Sequence, residues 1–281
     1  MTISPPIQPA AQQNNANVIC LTKLPPFRPS ALRLMNISVE SESAMQDFEE
    51  VFKSDPALTA DLLLVANSAE YGLRSRIETI RHALTYMGLE RVRSLGCSIA
   101  FTFYVRNHPK TEYTRSMWAH SIATAVIVEA IGARYDTHAL YTAGLTHDLG
   151  RLAIFLSVGT QYSQALSQEF ESMEEANTWE KAMFGVTHCE AGATVAHEWG
   201  FPDTLTGYMA DHHKPCEGRP GDPMNLIRVA CQIADTVGYP EVSRLDLQTP
   251  LELPVSLRNL AELDPERLRE KITKRIAAFG G

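Results

Sequence analysis

The sequence predicts an all-α protein, a multi-helix bundle in two closely packed halves. Aspartate–proline pairs at Asp55-Pro56 and Asp264-Pro265 have the pattern of an N-cap followed by proline in the first helical turn. Apolar residues at helical spacing follow both pairs, and glycines stand where several such runs end. No segment shows sustained apolar/polar alternation between hairpin turns, so strands are not expected.

Three helices are predicted early in the chain. The first follows Asp55-Pro56, because the apolar residues from Leu58 to Ala66 recur at helical spacing. The second ends at Gly88, after a short apolar run that begins at Ile80. The third is a long helix over about 90–107.

The second part of the chain is also predicted to be helical. A helix over about 114–134 is followed by one that Asp136 or Thr137 caps and that stops at Gly150. Further helices are expected near 162–171, 174–184, 188–199, 203–213 and 223–237. After Asp264-Pro265, the apolar stripe Leu268, Ile272, Ile276 and Phe279 predicts a helix that docks on the same body.

Composition divides the chain into four parts. Residues 1–17 are rich in proline, glutamine and asparagine and are interpreted as a mobile arm. A shift near His108-Pro109 separates a first helical half, 18–110, from a second half, 111–240. Residues 241–281 are expected to be a loop and the docking helix.

Charge and cysteine content restrict the partners and the compartment. The net charge of −8 does not attract nucleic acid to the protein as a whole. The five cysteines are odd in number and form no C-x-x-C pair, which favours reduced thiols; Cys189 and Cys216 are interpreted as packing residues. No apolar run approaches a membrane span and no signal-peptide pattern opens the chain, so a cytoplasmic location without membrane association is expected.

Histidines and aspartates recur on the predicted helices in an order that indicates a metal site. Inward-facing side chains from several helices are how helical bundles build such sites. Imidazole nitrogen suits iron, manganese, nickel and zinc, and a carboxylate adds charge and can bridge two ions, which is the role expected for Asp148. The predicted ligands of one or two divalent transition-metal ions are His120, His147, Asp148, His188, His212, His213 and Asp235.

Single histidines have a simpler interpretation as hydrogen-bonded core residues. That interpretation is adopted for the other four, His82, His108, His138 and His197. A lone His-Asp pair recurs by chance, so the prediction depends on the ordered set of seven.

Several separated motifs resemble the HDOD family of the HD superfamily. The fragment GLTHDLGRLAI is similar to the central HD motif, and EKAMFGVTHCEAGATVAHEWGFP followed by DHHKP is similar to the second half of the HD core. Upstream, LPPFRPSALRLM, SDPALTADLLLVANSAEYG and IETIRHALTYMGLERVRSL resemble the N-terminal half of HDOD proteins. The resemblance covers about residues 20–238.

The resemblance implies a helical bacterial signalling protein and allows two functions. The first is a metal-dependent phosphohydrolase acting on a nucleotide or other phosphoester, with Asp148 and Arg151 catalytic and Arg151 and Lys214 binding phosphate. The second is a non-catalytic module in which residues 23–93 bind a signalling protein and the metal site is structural or vestigial.

The sequence also departs from the family pattern. Arg151 stands where the HD motif usually has lysine, and a GYP-type extension after the paired histidines is absent, which argues against cyclic di-GMP hydrolysis. Ser116, rather than a carboxylate, lies one turn before His120, which argues against a third ion.

Overall fold

Fourteen α-helices form the regular structure of the described residues, which in this computed structural model are 21, 24–71, 75–132, 140–214, 221–242 and 263–280. The first half contains α1 (Pro29–Asn36), α2 (Ala44–Ser54), α3 (Pro56–Ala66), α4 (Ile80–Met87) and α5 (Leu89–Arg106). The second half contains α6 (Glu112–Gly132), α7 (Leu140–Thr146), α8 (Leu149–Val158), α9 (Thr160–Ala165), α10 (Met173–Phe184), α11 (His188–Trp199), α12 (Asp203–Asp211) and α13 (Pro223–Thr236). Helix α14 (Pro265–Ala278) follows. The all-α prediction is confirmed.

Local capping explains where the best-defined helices begin. Asp55 caps α3 by accepting a hydrogen bond from the Leu58 amide at 3.0 Å. Thr187 and Glu190 form a capping box at the start of α11, which places His188 at its first helical position. These two starts lie where the sequence predicts them.

Three helices differ from the sequence prediction. Helices α1 and α2 were not predicted, and neither has a side-chain hydrogen bond at its N-cap. The predicted stop at Gly150 is wrong, because α8 begins at Leu149 and continues to Val158. Gly150 lies inside α8 for a packing reason: a Cβ there would stand 1.8 Å from the His188 carbonyl oxygen of α11.

Helix α6 is the central element of the second half. It packs against α7, α13 and α14, while α8 packs on α11 and α11 on α12. In the first half α5 has the same role, with α1, α3 and α4 around it, and it also contacts α6 and α7. One continuous apolar core runs through both halves, from Phe27 to Phe279. The halves are therefore closely packed.

Helix α14, predicted to dock on the same body, packs against α6. Leu268, Ile272 and Phe279 are buried against the shared core, and Ile276 is half-buried. The polar face of α14 carries charged residues that pair with each other or with Glu129 of α6.

Some predictions lie outside the described residues. These are the arm at 1–17, the cap at Asp136 or Thr137, His138 and Cys216. None of the helices that the structure describes has both the length and the apolar character needed to cross a lipid bilayer.

Candidate metal centre

Asp148 lies in the turn between α7 and α8, with four imidazoles around its carboxylate. Its Oδ1 is 3.3 Å from His212 Nε2 and 3.5 Å from His188 Nε2. Its Oδ2 is 3.7 Å from His147 Nε2 and 3.9 Å from His120 Nε2. Each carboxylate oxygen therefore faces one pair of imidazoles, and all five side chains are at most 1% exposed.

All four imidazoles are held in the same orientation by an acceptor at Nδ1. Since these acceptors are carbonyl or carboxylate oxygens, Nδ1 donates and the Nε2 lone pair faces Asp148. The pairs are His120 with Tyr239 O (2.7 Å), His147 with Gly144 O (2.7 Å), His188 with Glu180 Oε2 (2.7 Å) and His212 with Met209 O (2.9 Å). This is the ring orientation that metal-binding histidines require.

The donor set fits a cation. Both carboxylate oxygens of Asp148 and Nε2 of His212 are buried and have no hydrogen-bond partner among the described residues. Leaving such groups unpaired costs about 1–3 kcal/mol each, and more for a charged group. A divalent ion bound to these atoms would remove that cost.

The pKa shifts show that the centre concentrates negative charge. Burial lowers the pKa of His147 to about 3, so its ring is neutral. Burial and the neighbouring Glu241 raise the pKa of Asp148, but opposing interactions that include the attraction of the buried Arg151 guanidinium hold the pKa below its ordinary value. The surroundings of Asp148 therefore attract positive charge.

Among the described residues, candidate ligands form three groups, in each of which the ligand atoms lie within 4.8 Å of one another. One of them, His188, Cys189, His212 and His213, overlaps the first of the two groups described next. The first group is Asp148, His188, His212, His213 and Glu241. The second group is His120, His147 and Cys231. Six of the seven predicted ligands belong to these groups, and Asp148 Oδ2 faces the second group as well.

Asp235, the seventh predicted ligand, lies behind His120. Its Oδ1 is 3.6 Å from His120 Nδ1, the nitrogen that is turned away from Asp148. The same oxygen accepts a hydrogen bond from the Glu241 amide at 2.8 Å. Asp235 therefore supports the ring of His120 and the loop that carries Glu241.

Arg151 is buried next to Asp148, and its guanidinium forms hydrogen bonds to other side chains of the protein. Its Nη1 donates to Glu180 Oε1 at 2.9 Å and to the Tyr162 hydroxyl at 3.2 Å, and its Nε donates to Glu241 Oε1 at 2.8 Å. Its Nε also lies 3.5 Å from Asp148 Oδ2. Phosphate binding by Arg151 stays a prediction. It would require the guanidinium to break its hydrogen bonds to Glu241 and form hydrogen bonds to a substrate phosphate instead.

Lys214 is placed differently, at the surface. Its ammonium group is 66% exposed and lies 2.6 Å from Asp211. A groove of about 770 Å³ reaches from Lys214 and Lys181 to His213 and Cys189 at the edge of the centre. On another side, a cavity of about 310 Å³ is lined by Glu241, Tyr113 and Ser116.

Sequence reasoning missed Glu180, Glu241 and Cys231. Nothing in the local pattern marks Glu180 or Glu241, since one lies mid-helix and the other in the loop after α13. Cys231 precedes Asp235 by four residues, so the two share one face of α13, and this spacing could have identified it. Cys189, interpreted as a packing residue, is buried but has its Sγ 3.6 Å from His188 Nε2.

Comparison with known proteins agrees with this fold. Residues 24–215 match the family model described as HDOD domain. A curated protein of Treponema pallidum (strain Nichols), described as uncharacterized, is 25% identical over 252 residues, which are 86% of this chain and 47% of that protein. The chain thus spans about half the length of this relative.

Solved structures share the same fold. An HDOD domain protein with unknown function from Geobacter sulfurreducens is 22% identical, with a TM-score of 0.69 over 92% of this chain and 91% of that one. A "putative phosphohydrolase" from Shewanella amazonensis SB2B is 22% identical, with a TM-score of 0.61 over 92% and 93%. A "putative signal transduction protein" from Marinobacter aquaeolei VT8 is 22% identical, with a TM-score of 0.66 over 93% and 60%.

Proposed function

This chain belongs to the HDOD family, and we propose that its histidine–aspartate centre makes it a metal-dependent phosphohydrolase of HD type. Its substrate would be a nucleotide or another phosphoester used in signalling. The observation that carries the proposal is the Asp148 carboxylate, which is buried, has no hydrogen-bond partner among the described residues, and stands between two pairs of Nε2 lone pairs.

Six of the predicted ligands would hold one or two divalent ions. His188, His212 and His213 would bind on the side of Asp148 Oδ1, and His120 and His147 on the side of Oδ2. Imidazole with carboxylate suits iron, manganese, nickel and zinc. Such an ion would lower the pKa of water and stabilise charge on a phosphoryl group.

The chain's own side chains would orient the substrate and the carboxylates. Lys214, at the mouth of the groove, would bind a phosphate oxygen of the substrate. Arg151 keeps Asp148 ionised, because its Nε lies 3.5 Å from Oδ2 in a fully buried site. Burial of the carboxylate and its imidazoles lowers the local dielectric constant, which strengthens each of these electrostatic interactions.

One structural neighbour carries a description of the same class of activity. A protein of this fold from Shewanella amazonensis SB2B carries the description "putative metal-dependent phosphohydrolase", at 21% identity and a TM-score of 0.57. At that identity the likeness concerns the fold, so the activity proposed for this chain depends on the geometry around Asp148.

A hydrolase assay with a matched pair of variants tests the proposal. Purified protein loaded with Fe²⁺ or Mn²⁺ should hydrolyse at least one substrate in a panel of nucleotides and phosphodiesters. Asp148→Asn, which keeps the shape but removes the charge, should lower kcat/KM by at least about 100-fold, or about 2.7 kcal/mol of transition-state stabilisation. Asp203→Asn, at an exposed position outside the centre, should retain full activity.

If no metal-dependent turnover occurs for any phosphoester, the second candidate takes its place. This candidate is a non-catalytic module that binds a signalling protein. One observation favours it: Leu64 and Phe103 are 74% and 53% exposed beside a groove of about 400 Å³ between α3, α5 and the end of α14. Partner binding would then be lost in Leu64→Ser and Phe103→Ser and kept in Asp148→Asn.

A further inference from the structure

Cys231 lies closer to two imidazole nitrogens of the centre than a packing role requires. It is on α13, 3% exposed, with its Sγ 3.6 Å from His120 Nε2. Its Sγ and one ring nitrogen each of His120 and His147 all lie within 4.8 Å of one another, and the two Nε2 atoms are 3.3 Å apart. The sulfur therefore shares a small volume with two nitrogens whose lone pairs face inward.

The polar contacts of Cys231 point in the same direction. A buried cysteine most often behaves as a small apolar residue. Here the thiol donates to Glu241 Oε2 at 3.4 Å and approaches an imidazole on another side. Both contacts are polar, and both neighbours belong to the groups of candidate ligands.

Asp235, one helical turn later, occupies the opposite side of His120. An imidazole coordinates an ion through one nitrogen, and Nδ1 of His120 donates to the Tyr239 carbonyl. An ion bound at Nε2 would lie across the ring from Asp235, whose Oδ1 is 3.6 Å from Nδ1. Cys231 is the residue of α13 whose ligand atom lies on the Nε2 side.

We propose that Cys231 supplies a thiolate ligand to the cation that His120, His147 and Asp148 Oδ2 would hold, and that Asp235 only supports His120. This inference rests on the metal centre of the proposed function. On binding, the sulfur–hydrogen bond is exchanged for a sulfur–metal bond. The released proton leaves to solvent through the surface cavity that Glu241 borders.

If Cys231 is a ligand, the two metal positions of the centre differ in their ligand atoms. The position at His120 combines two nitrogens, one oxygen and one sulfur, a set that favours zinc or iron over manganese or magnesium. The position at His188, His212, His213 and Glu241 offers nitrogen and oxygen ligands through the group that includes Asp148. That position should accept manganese more readily.

Cobalt substitution of the full chain tests this assignment. Protein loaded with Co²⁺ should show the visible bands of the bound ion and a near-ultraviolet sulfur-to-cobalt charge-transfer band. Cys231→Ser should lose the charge-transfer band and keep at least one bound Co²⁺. Cys97→Ser, at a buried cysteine that lies in none of the groups of candidate ligands, is the matched control and should keep the band, as should Asp235→Asn.

Zinc affinity provides a second measurement. Cys231→Ser should bind Zn²⁺ at least roughly 10- to 100-fold more weakly, the loss that follows from removing even a supporting group. Circular dichroism checks that the variant folds. Should it not fold, a variant in which the other four cysteines are replaced and Cys231 is kept should still show the charge-transfer band.

The outcomes separate the two proposals. Co²⁺ bound without a charge-transfer band, or a band that persists in Cys231→Ser, overturns the thiolate assignment and leaves the proposed function standing. Failure of the native protein to bind any divalent ion overturns both.

Discussion

Arg151 is the residue on which the buried charges of the centre depend. Its guanidinium is 1% exposed and contacts Glu180 and Glu241, which are themselves buried. Burial raises the pKa of Glu180, but the attraction of His188 and Arg151 outweighs this and lowers the pKa to about 2. These buried acids are therefore ionised because Arg151 and the neighbouring imidazoles are buried beside them.

Replacing Arg151 should be far more damaging than replacing a surface cation. Arg151→Met leaves Glu180 and Glu241 without their cation in a buried site, and we expect a loss of roughly 3–5 kcal/mol in the free energy of unfolding. Urea unfolding followed by circular dichroism measures it. The control is Lys181→Met, which removes an exposed partner of Glu190 and should cost less than about 1 kcal/mol. Equal losses in the two variants would contradict the role assigned to Arg151.

At the scale of elements, the contact between α8 and α11 sets the position of His188. The two helices approach at Gly150 and Gly192, where a Cβ on Gly150 would lie 1.8 Å from the His188 carbonyl oxygen and 2.5 Å from the Gly192 amide nitrogen. Only glycine allows this separation. His188 begins α11 at that point, so the separation also decides whether its ring reaches Asp148.

Gly150→Ala should therefore disturb both stability and metal binding. The added methyl group forces α8 and α11 apart, which we expect to cost about 3 kcal/mol or more in unfolding free energy and to reduce metal uptake. Gly207→Ala is the matched control, because α12 leaves open space around Gly207 and alanine favours helix by up to about 1 kcal/mol. Thermal unfolding and metal analysis of both variants measure these effects. A Gly150→Ala protein as stable as Gly207→Ala would show that the close approach is not required.

At the scale of the whole molecule, aromatic residues join the two halves. Phe27, before α1, is 0% exposed, and its ring centroid lies 5.7 Å from Tyr104, 5.9 Å from Trp199 and 5.5 Å from Phe201. Tyr104 belongs to α5 in the first half, whereas the other two lie at the end of α11 and just after it. One residue near the start of the described chain thus packs against both halves.

The shared core predicts that both halves unfold together. Phe27→Ala should cost about 3–5 kcal/mol and shift the transitions seen by tryptophan fluorescence and by circular dichroism to the same lower denaturant concentration. Phe103→Ala, which removes a ring that is 53% exposed, should change stability by less than about 1 kcal/mol. Two separate transitions, of which Phe27→Ala shifts only one, would show that the halves unfold independently.

Local signals in the sequence determined much of the fold. Asp55-Pro56 and the capping pair Thr187 and Glu190 set helix starts at the predicted positions, because a cap is a contact between near neighbours in the chain. Helices α1 and α2 were missed because neither has such a cap. Their apolar faces are buried by packing against α5 and the rest of the core, which local sequence does not reveal. Gly150 was misread as a stop because its role depends on α11, nearly 40 residues later in the chain.

By itself, the sequence determined the all-helical class and the kinds of side chain available to the centre, since both follow from residue type and spacing. Only the tertiary structure decided which atoms meet there. It placed Asp235 beside Nδ1 of His120 and Cys231 beside Nε2 of the same ring. It also placed Glu180 at Nδ1 of His188 and Glu241 in the group of candidate ligands that contains Asp148. The reason is physical: a helix specifies the direction of its own side chains, but the packing of distant helices specifies what those side chains face.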